Sequence, residues 1–277
     1  MQIKILGAAG AIGNSGFLVK NNGTTILLDY GLNPGKSMIH PMHVRPRDIN
    51  ALITSHAHLD HMGYEPYLYI GKGMPHYATK PTIEISEILL NDLIKISGEK
   101  LPFTIAEVYN LIQNSIAKEY DEEFYVDGMS VTLLNAGHIP GSAMVYIRGD
   151  RRLLYTGDIN HIPSRLLEPA SYDIPEADYV ISESTYANKE HEDRSKEERR
   201  LIDFCNEVIE GGGTVLIPAF AVGRAQEIAE ILYYNNFKHD VYMDGMALAI
   251  NEILLKNQRF IKNPEGLKRA LNHVIYI

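Results

Sequence analysis

The 277-residue chain has one cysteine, no tryptophan and no excess of basic charge. A single thiol, Cys205, rules out an intrachain disulfide, so the fold depends on its core. Set in "LIDFCNEVI", Cys205 reads as a buried helix residue rather than a nucleophile. No apolar run approaches the roughly 20 residues that span a bilayer. The opening "MQIKILGAAG" lacks the long apolar core of a signal peptide. These features fit a cytoplasmic protein with no membrane partner. The formal charge of −9 argues against a general nucleic-acid binder. Two bound divalent cations would carry −9 to −5 and gather positive charge in one cleft, so charge alone leaves that class open. Hydrophobic residues at 45% and charged residues at 22% are ordinary globular proportions.

What the chain does have is a dense polar motif. "LITSHAHLDHMGY" places His56, His58, Asp60 and His61 within six residues, directly after an apolar run. Each of these side chains is costly to bury unpartnered. Three imidazoles and a carboxylate in that spacing point to metal ligation, with zinc favoured and manganese or iron compatible. Further ligands should stand in similar settings, at the ends of apolar strands. His138 in "VTLLNAGHIPGSA" and Asp158 in "RRLLYTGDIN" do so, each beside glycine.

Short strands joined by turns are expected over the first 60 residues, with a hairpin at "NNG" (Asn21 to Gly23). "PTIEISEILLNDLIKIS" and "TIAEVYNLIQNSIAKEY" have helical spacing, the second opening on a capping box of Thr104 and Glu107. Strands return at "MSVTLLNAGH", "AMVYIRG", "RRLLYTGDIN" and "DYVISEST". Past residue 190 the pattern becomes strand–helix alternation. A helix capped by Ser195 and Glu198 comes first, then a strand at "TVLIPAF" and a helix at "GRAQEIAEILYYN". A strand at "DVYMD", a helix over about 246–257 and a last strand at "HVIYI" complete it. A boundary near residue 188 is expected, giving domains 1–187 and 188–277.

The ligand pattern resembles the metallo-β-lactamase superfamily: His-x-His-x-Asp-His, a later His, and a later Asp. "YVISESTYANKEH" and "VLIPAFAVGRAQEI" are similar to the β-CASP branch, whose members cut RNA or DNA. Within it the likeness is to archaeal relatives of the cleavage and polyadenylation endonuclease, and secondarily to RNase J. The resemblance implies an α/β fold, an αββα sandwich followed by an incomplete β-CASP parallel-sheet domain. It implies two Zn2+ ions, one held by His56, His58 and His138 and the other by Asp60 and His61, with Asp158 bridging. Asp29 in "ILLDYG" would support the ligands from behind, Asp60 would orient the nucleophile, and Glu183 in "SESTY" would support a general acid. Arg224, opening the helix after "AFAVG", is a candidate phosphate contact, with a structural ion pair between domains as the competing reading.

The implied activity is zinc-dependent hydrolysis of phosphodiesters in single-stranded RNA, by a full-length protein for which the resemblance admits a homodimer. A small-molecule metallo-hydrolase using the same metals is one alternative. A non-catalytic RNA-processing subunit is the other. The family's closing motifs, two histidines and a small-residue phosphate-contacting segment, have no counterpart before "LNHVIYI", and His273 reads as a strand residue. The chain is therefore expected to be truncated, with a weakened second metal site and little activity of its own.

Overall fold

The structure is a computed structural model, and it describes residues 1–33, 38–71 and 73–277. The chain divides into two compact units, one of residues 1–162 and 169–183 and the other of residues 163–168 and 184–277.

The first unit begins with β1 (Gln2–Ile5), β2 (Gly16–Asn21) and β3 (Thr24–Tyr30), paired antiparallel. Asn22 and Gly23 both have positive φ, so "NNG" forms the expected tight hairpin. β4 (Ala51–Ile53) lies parallel to β3. After it come a single helical turn, α1 (Leu59–Met62), and β5 (His76–Thr79), parallel to β4. Two helices follow, α2 (Lys80–Ser97) and α3 (Ile105–Gln113), and then β6 (Ser115–Lys118) closes a six-stranded mixed sheet in the order β1 to β6. The capping box of Thr104 and Glu107 starts α3. The helix ends at Gln113, however, where the sequence pattern carried it on to residue 120. Residues 115–118 pair in parallel with β5, and this ladder outweighs their helical spacing.

The second sheet holds β7 (Glu123–Val126), β8 (Met129–Asn135), β9 (Ala143–Arg148), β10 (Arg152–Tyr155) and β11 (Tyr179–Ile181). All its neighbours are antiparallel except β10 and β11. Alternation sorts the side chains into layers. Ile26, Leu28, Ala51 and Ile53 of the first sheet meet Val131, Leu133, Val145 and Ile147 of the second in one buried cluster. Leu27 and Leu52 point the other way, into a cluster with Leu90 and Leu93 of α2 and Val108 and Leu111 of α3. Met144, Tyr146 and Leu154 form the outer face of the second sheet and pack against Ala170 and Ile159 in the irregular chain that follows β10. Each fully buried Leu, Ile or Val adds about 1.5–3 kcal/mol to stability.

Strand direction then positions the site. β3 and β4 run parallel, so Asp29 and the segment after Ile53 emerge at one end of the first sheet. β8 and β10 both pair antiparallel to β9, so they too run in a common direction and deliver His138 and Asp158 at one end of the second. The backbone N–H of Ala143, opposite the last residue of β8, donates to the Ser55 carbonyl. That bond joins the two strand ends.

The second unit contains α4 (Arg194–Glu210), α5 (Arg224–Tyr234), β12 (Val241–Met243), α6 (Ala247–Lys256), α7 (Pro264–Leu271) and β13 (Val274–Tyr276), with β12 and β13 parallel. Two expectations fail here. "TVLIPAF" forms no strand and pairs with no described strand, and Leu216 and Phe220 are 90% and 80% exposed. Its β-branched, apolar composition favours extended backbone, but a strand also needs a neighbour, and β12 takes β13 instead. The N-cap of α4 is Asp193, which accepts from the Lys196 N–H, and Ser195 is not the cap. Glu198 is drawn away by Arg165 and Arg194. His273 lies in the turn before β13, where its Nδ1 donates to the Arg269 carbonyl at 2.9 Å, an end-of-helix contact and not a metal ligand.

Candidate metal centre

Ser55 follows the end of β4 and is anchored twice to Asp29, its N–H to Oδ1 and its Oγ to Oδ2, both at 2.7 Å. This double anchor sets the direction in which the chain leaves the sheet, and His56 and His58 follow at once. Asp29 is fully buried, with φ of 54°, a left-handed conformation that Asp tolerates better than most residues. It also accepts from the Tyr155 hydroxyl at 2.6 Å and from His61 Nδ1 at 2.7 Å. The last bond places the His61 proton on Nδ1 and directs Nε2 away from the carboxylate.

Four side chains meet beyond this support. Single ligand atoms of His56, His58, His138 and Asp158 all lie within 4.8 Å of one another. His138 Nε2 is 3.2 Å from His58 Nδ1 and 3.3 Å from Asp158 Oδ2, and His56 Nε2 is 3.6 Å from the same oxygen. A tetrahedral ion with bonds of about 2.0–2.1 Å sets its ligands about 3.3 Å apart, so the observed spacings fit such an ion. His56 Nε2 is buried with no hydrogen-bond partner. A buried imidazole nitrogen so placed is costly unless it ligates a cation.

The other carboxylate oxygen of Asp158 faces the remaining residues of the motif. Asp158 Oδ1 is 3.2 Å from His61 Nε2, and Asp60 Oδ2 is 3.9 Å from that nitrogen. Asp158 thus presents Oδ2 to His56 and His138 and Oδ1 to His61. Glycines make the close approach feasible: Gly157 has φ of 53°, and a Cβ there would stand 2.8 Å from the Ser55 side chain. Gly137, before His138, has φ of 68°, and its Cβ would meet the Ala170 nitrogen at 2.5 Å.

The charge states of His56 and His58 suit cation binding. Burial, and then the neighbouring imidazoles, hold His56 well below the usual histidine range. Burial likewise lowers His58. Both are therefore neutral, the form that ligates. Burial also opposes charge on His61, but its bonds to Asp158 and Asp29 prevail and raise it. Burial would raise Asp158, yet His61 and the other histidines hold it down to about 2.

Other singled-out residues are not members of this cluster. Glu183 lies two residues beyond Ile181 at the end of β11, which is parallel to β10, so it leaves the sheet at the same end as Asp158. Arg224 is exposed at the start of α5 and takes part in no ion pair among the described residues. The ion-pair network of that unit instead joins Arg165 and Arg194 to Glu198 and Glu227. Cys205 is buried, as its helical setting predicts. Sequence reasoning missed Ser55 and Tyr155. Ser55 adjoins the motif and could have been suspected, but Tyr155 is 126 residues from Asp29 and only the sandwich brings them together.

Among the described residues, no helix is long and apolar enough to cross a membrane. Comparison with known proteins agrees with the fold. A sequence-family model described as "Anti-Pycsar protein Apyc1" matches residues 1–189. RNase aCSPSF2 of Saccharolobus solfataricus is 38% identical over 280 residues, 99% of this chain and 57% of that protein. Probable RNase MJ4 of Methanocaldococcus jannaschii is 36% identical over 283 residues, 99% of this chain and 66% of that protein. The chain thus spans about three fifths of the length of these curated relatives. A crystal structure of a protein of unknown function from Enterococcus faecalis shares the fold at 16% identity, with a TM-score of 0.55 over 92% of this chain and 67% of the other. The curated relatives are named as ribonucleases, and by the match over residues 1–189 the chain belongs to the Anti-Pycsar protein Apyc1 family.

Proposed function

We propose that this chain carries the hydrolytic centre of a metal-dependent ribonuclease that cleaves phosphodiester bonds of single-stranded RNA, loaded with two Zn2+ ions. The observation that carries the reading is Asp158, whose Oδ2 faces His56 and His138 while its Oδ1 faces His61. His56, His58 and His138 would hold one ion, Asp60 and His61 the other, and Asp158 both. When bound, such a pair supplies an activated water and Lewis-acid stabilisation of the charge that builds up on the phosphate.

The protein's own residues supply the geometry. Asp29 keeps the His61 proton on Nδ1, so that Nε2 remains a donor to metal. Asp60 orients the attacking water. Glu183 supports proton delivery to the leaving oxygen. Arg224 offers an uncommitted positive charge at a helix N-terminus for a substrate phosphate. Single-stranded RNA is favoured as substrate because an unpaired strand can bend into a recessed site. The two curated relatives are named as ribonucleases, which supports the same choice. A cytoplasmic setting and a homodimeric full-length protein belong to this reading.

The test is cleavage of an end-labelled single-stranded RNA by the zinc-loaded protein, carried on a chain of the length its relatives have, beside its Asp158→Ala variant. Chelator-sensitive cleavage that the variant loses supports the reading. Equal cleavage by the variant, or turnover of a thioester or lactam with RNA left intact, overturns it.

A further inference from the structure

Behind the metal centre lies a second buried polar group that the chemistry above does not use. Glu65, in the 3-10 turn after α1, is fully buried, and His76 of β5 is 1% exposed. Between them stands Thr54, the residue after β4. Its Oγ1 is 2.5 Å from Glu65 Oε1 and 2.8 Å from His76 Nε2. His76 Nδ1 is 2.7 Å from Ser115 Oγ, which donates to the Leu111 carbonyl at 2.8 Å. Glu65 Oε2 has no partner.

The protons can be counted. Ser115 spends its hydrogen on Leu111, so it must accept from His76 Nδ1–H. Thr54 has one hydrogen for two neighbours. If Glu65 is ionised and His76 neutral, one of Glu65 Oε1 and His76 Nε2 is left buried and unserved. If Glu65 is protonated, every contact is met: Glu65 donates to Thr54, Thr54 to His76, and His76 to Ser115. The same number of protons can be arranged as glutamate and imidazolium. That arrangement puts negative charge on Oε2, which lies 4.0 Å from His76 Nε2 and accepts no hydrogen bond, and buries two charges where the other arrangement buries none, so it is disfavoured.

The position of this network gives it a role. Thr54 precedes Ser55, which Asp29 anchors, so the strand exit is held at two successive residues. Glu65 lies four residues past His61. The Glu65–Thr54 bond therefore ties the start of the histidine motif to the segment just after its end.

We infer that Glu65 is a positioning residue for the metal centre, acting as a neutral carboxylic acid that donates to Thr54 and holds the chain bearing His56 and His58 in register with the turn bearing Asp60 and His61. This rests on the metal reading above. Burial is the main reason that Glu65 stays protonated, and burial also keeps His76 neutral, near 3. The groups facing Glu65 are Thr54 after β4, His76 of β5, Asp29 of β3, His61 of α1 and Tyr69 of its own turn. Of these only His61 is pushed toward its charged form, by Asp158 and Asp29, and it is neutral when Nε2 binds a metal.

Two variants separate a proton donor from a mere filler. Glu65→Gln keeps a donor for Thr54 and should bind zinc within about threefold of the parent. Glu65→Leu keeps the bulk without the donor and should lose about 10–100-fold in zinc affinity, as measured against a competing chelator dye. The infrared spectrum of the metal-free parent should show a buried protonated-carboxyl band that Glu65→Gln lacks. Equal losses in Glu65→Gln and Glu65→Leu, an unchanged affinity in Glu65→Leu, or persistence of the band in Glu65→Gln would each overturn the inference. A parent that binds no zinc would overturn the metal reading on which it rests, and the infrared band, which needs no metal, would still decide the state of Glu65.

Discussion

Asp29→Asn isolates the support behind the ligands with the least disturbance. Asn tolerates the left-handed conformation at this position, so little backbone strain is added. The carboxylate accepts from four donors: the Ser55 N–H and Oγ, the Tyr155 hydroxyl and His61 Nδ1. An amide has one oxygen, and the Ser55 N–H, which cannot turn, claims it. The NH2 then stands where Oδ2 was, among three former donors. Both hydroxyls can rotate and accept. His61 can accept only by moving its proton to Nε2, the atom that faces Asp158.

Replacing hydrogen bonds to a buried charge by weaker neutral ones should cost about 2–4 kcal/mol of stability. A misplaced imidazole proton should cost about 10–100-fold in affinity at the Asp60–His61 site, or about 1.4–2.7 kcal/mol. The His56–His58–His138 site should hold its ion. Zinc titration against a chelator dye, with melting followed in parallel, should show one tight ion per chain and one weakened. Two ions bound at parental affinity would refute the tautomer argument.

Other outcomes are expected. Glu230 is buried with both carboxylate oxygens unpartnered, and burial, then Glu227, raises it from the ordinary 4.5 to about 7. A raised carboxyl is neutral in the fold at low pH and must ionise as pH climbs. Stability is therefore highest below about 4.5 and falls through about 7, by at most about 3 kcal/mol. Chemical unfolding of Glu230→Gln at pH 8 should show a gain that is absent at pH 4.5, and an equal effect at both pH values would argue against it. Cys205→Ala should cost about 1 kcal/mol in melting experiments and leave RNA cleavage unchanged; lost cleavage with an intact fold would make the thiol functional. Arg224→Ala should weaken RNA binding at all sequences and lower the salt slope by about 1, as loss of a phosphate contact does. An unchanged slope would remove Arg224 from the interface.

The convergence of His56, His58, His138 and Asp158 was legible because a candidate metal site demands particular side chains at chain exits, and the exits are marked by apolar runs followed by Gly, Ser or His. Layering was not legible in that way: "TTILLDY" and "AMVYIRG" are continuous apolar runs, and only packing shows that Ile26 and Leu28 face the second sheet while Leu27 faces the helices. The capping box at Thr104 needs only three residues of local chain, and it formed as the pattern predicts. Elements that depend on a partner were not legible. Residues 115–118 have helical spacing but became a strand because β5 offered an open edge. "TVLIPAF" has strand composition but found no neighbour among the described strands. Glu198 suits a cap but was taken by two arginines, one of them 33 residues away. The same limit hid Tyr155 behind Asp29, and hid the proton chain from Glu65 through Thr54 and His76 to Ser115, which draws on four separate segments. Local sequence sets backbone preference. Only the packed sandwich decides which distant polar groups share a proton, because buried hydrogen-bond partners are chosen in three dimensions.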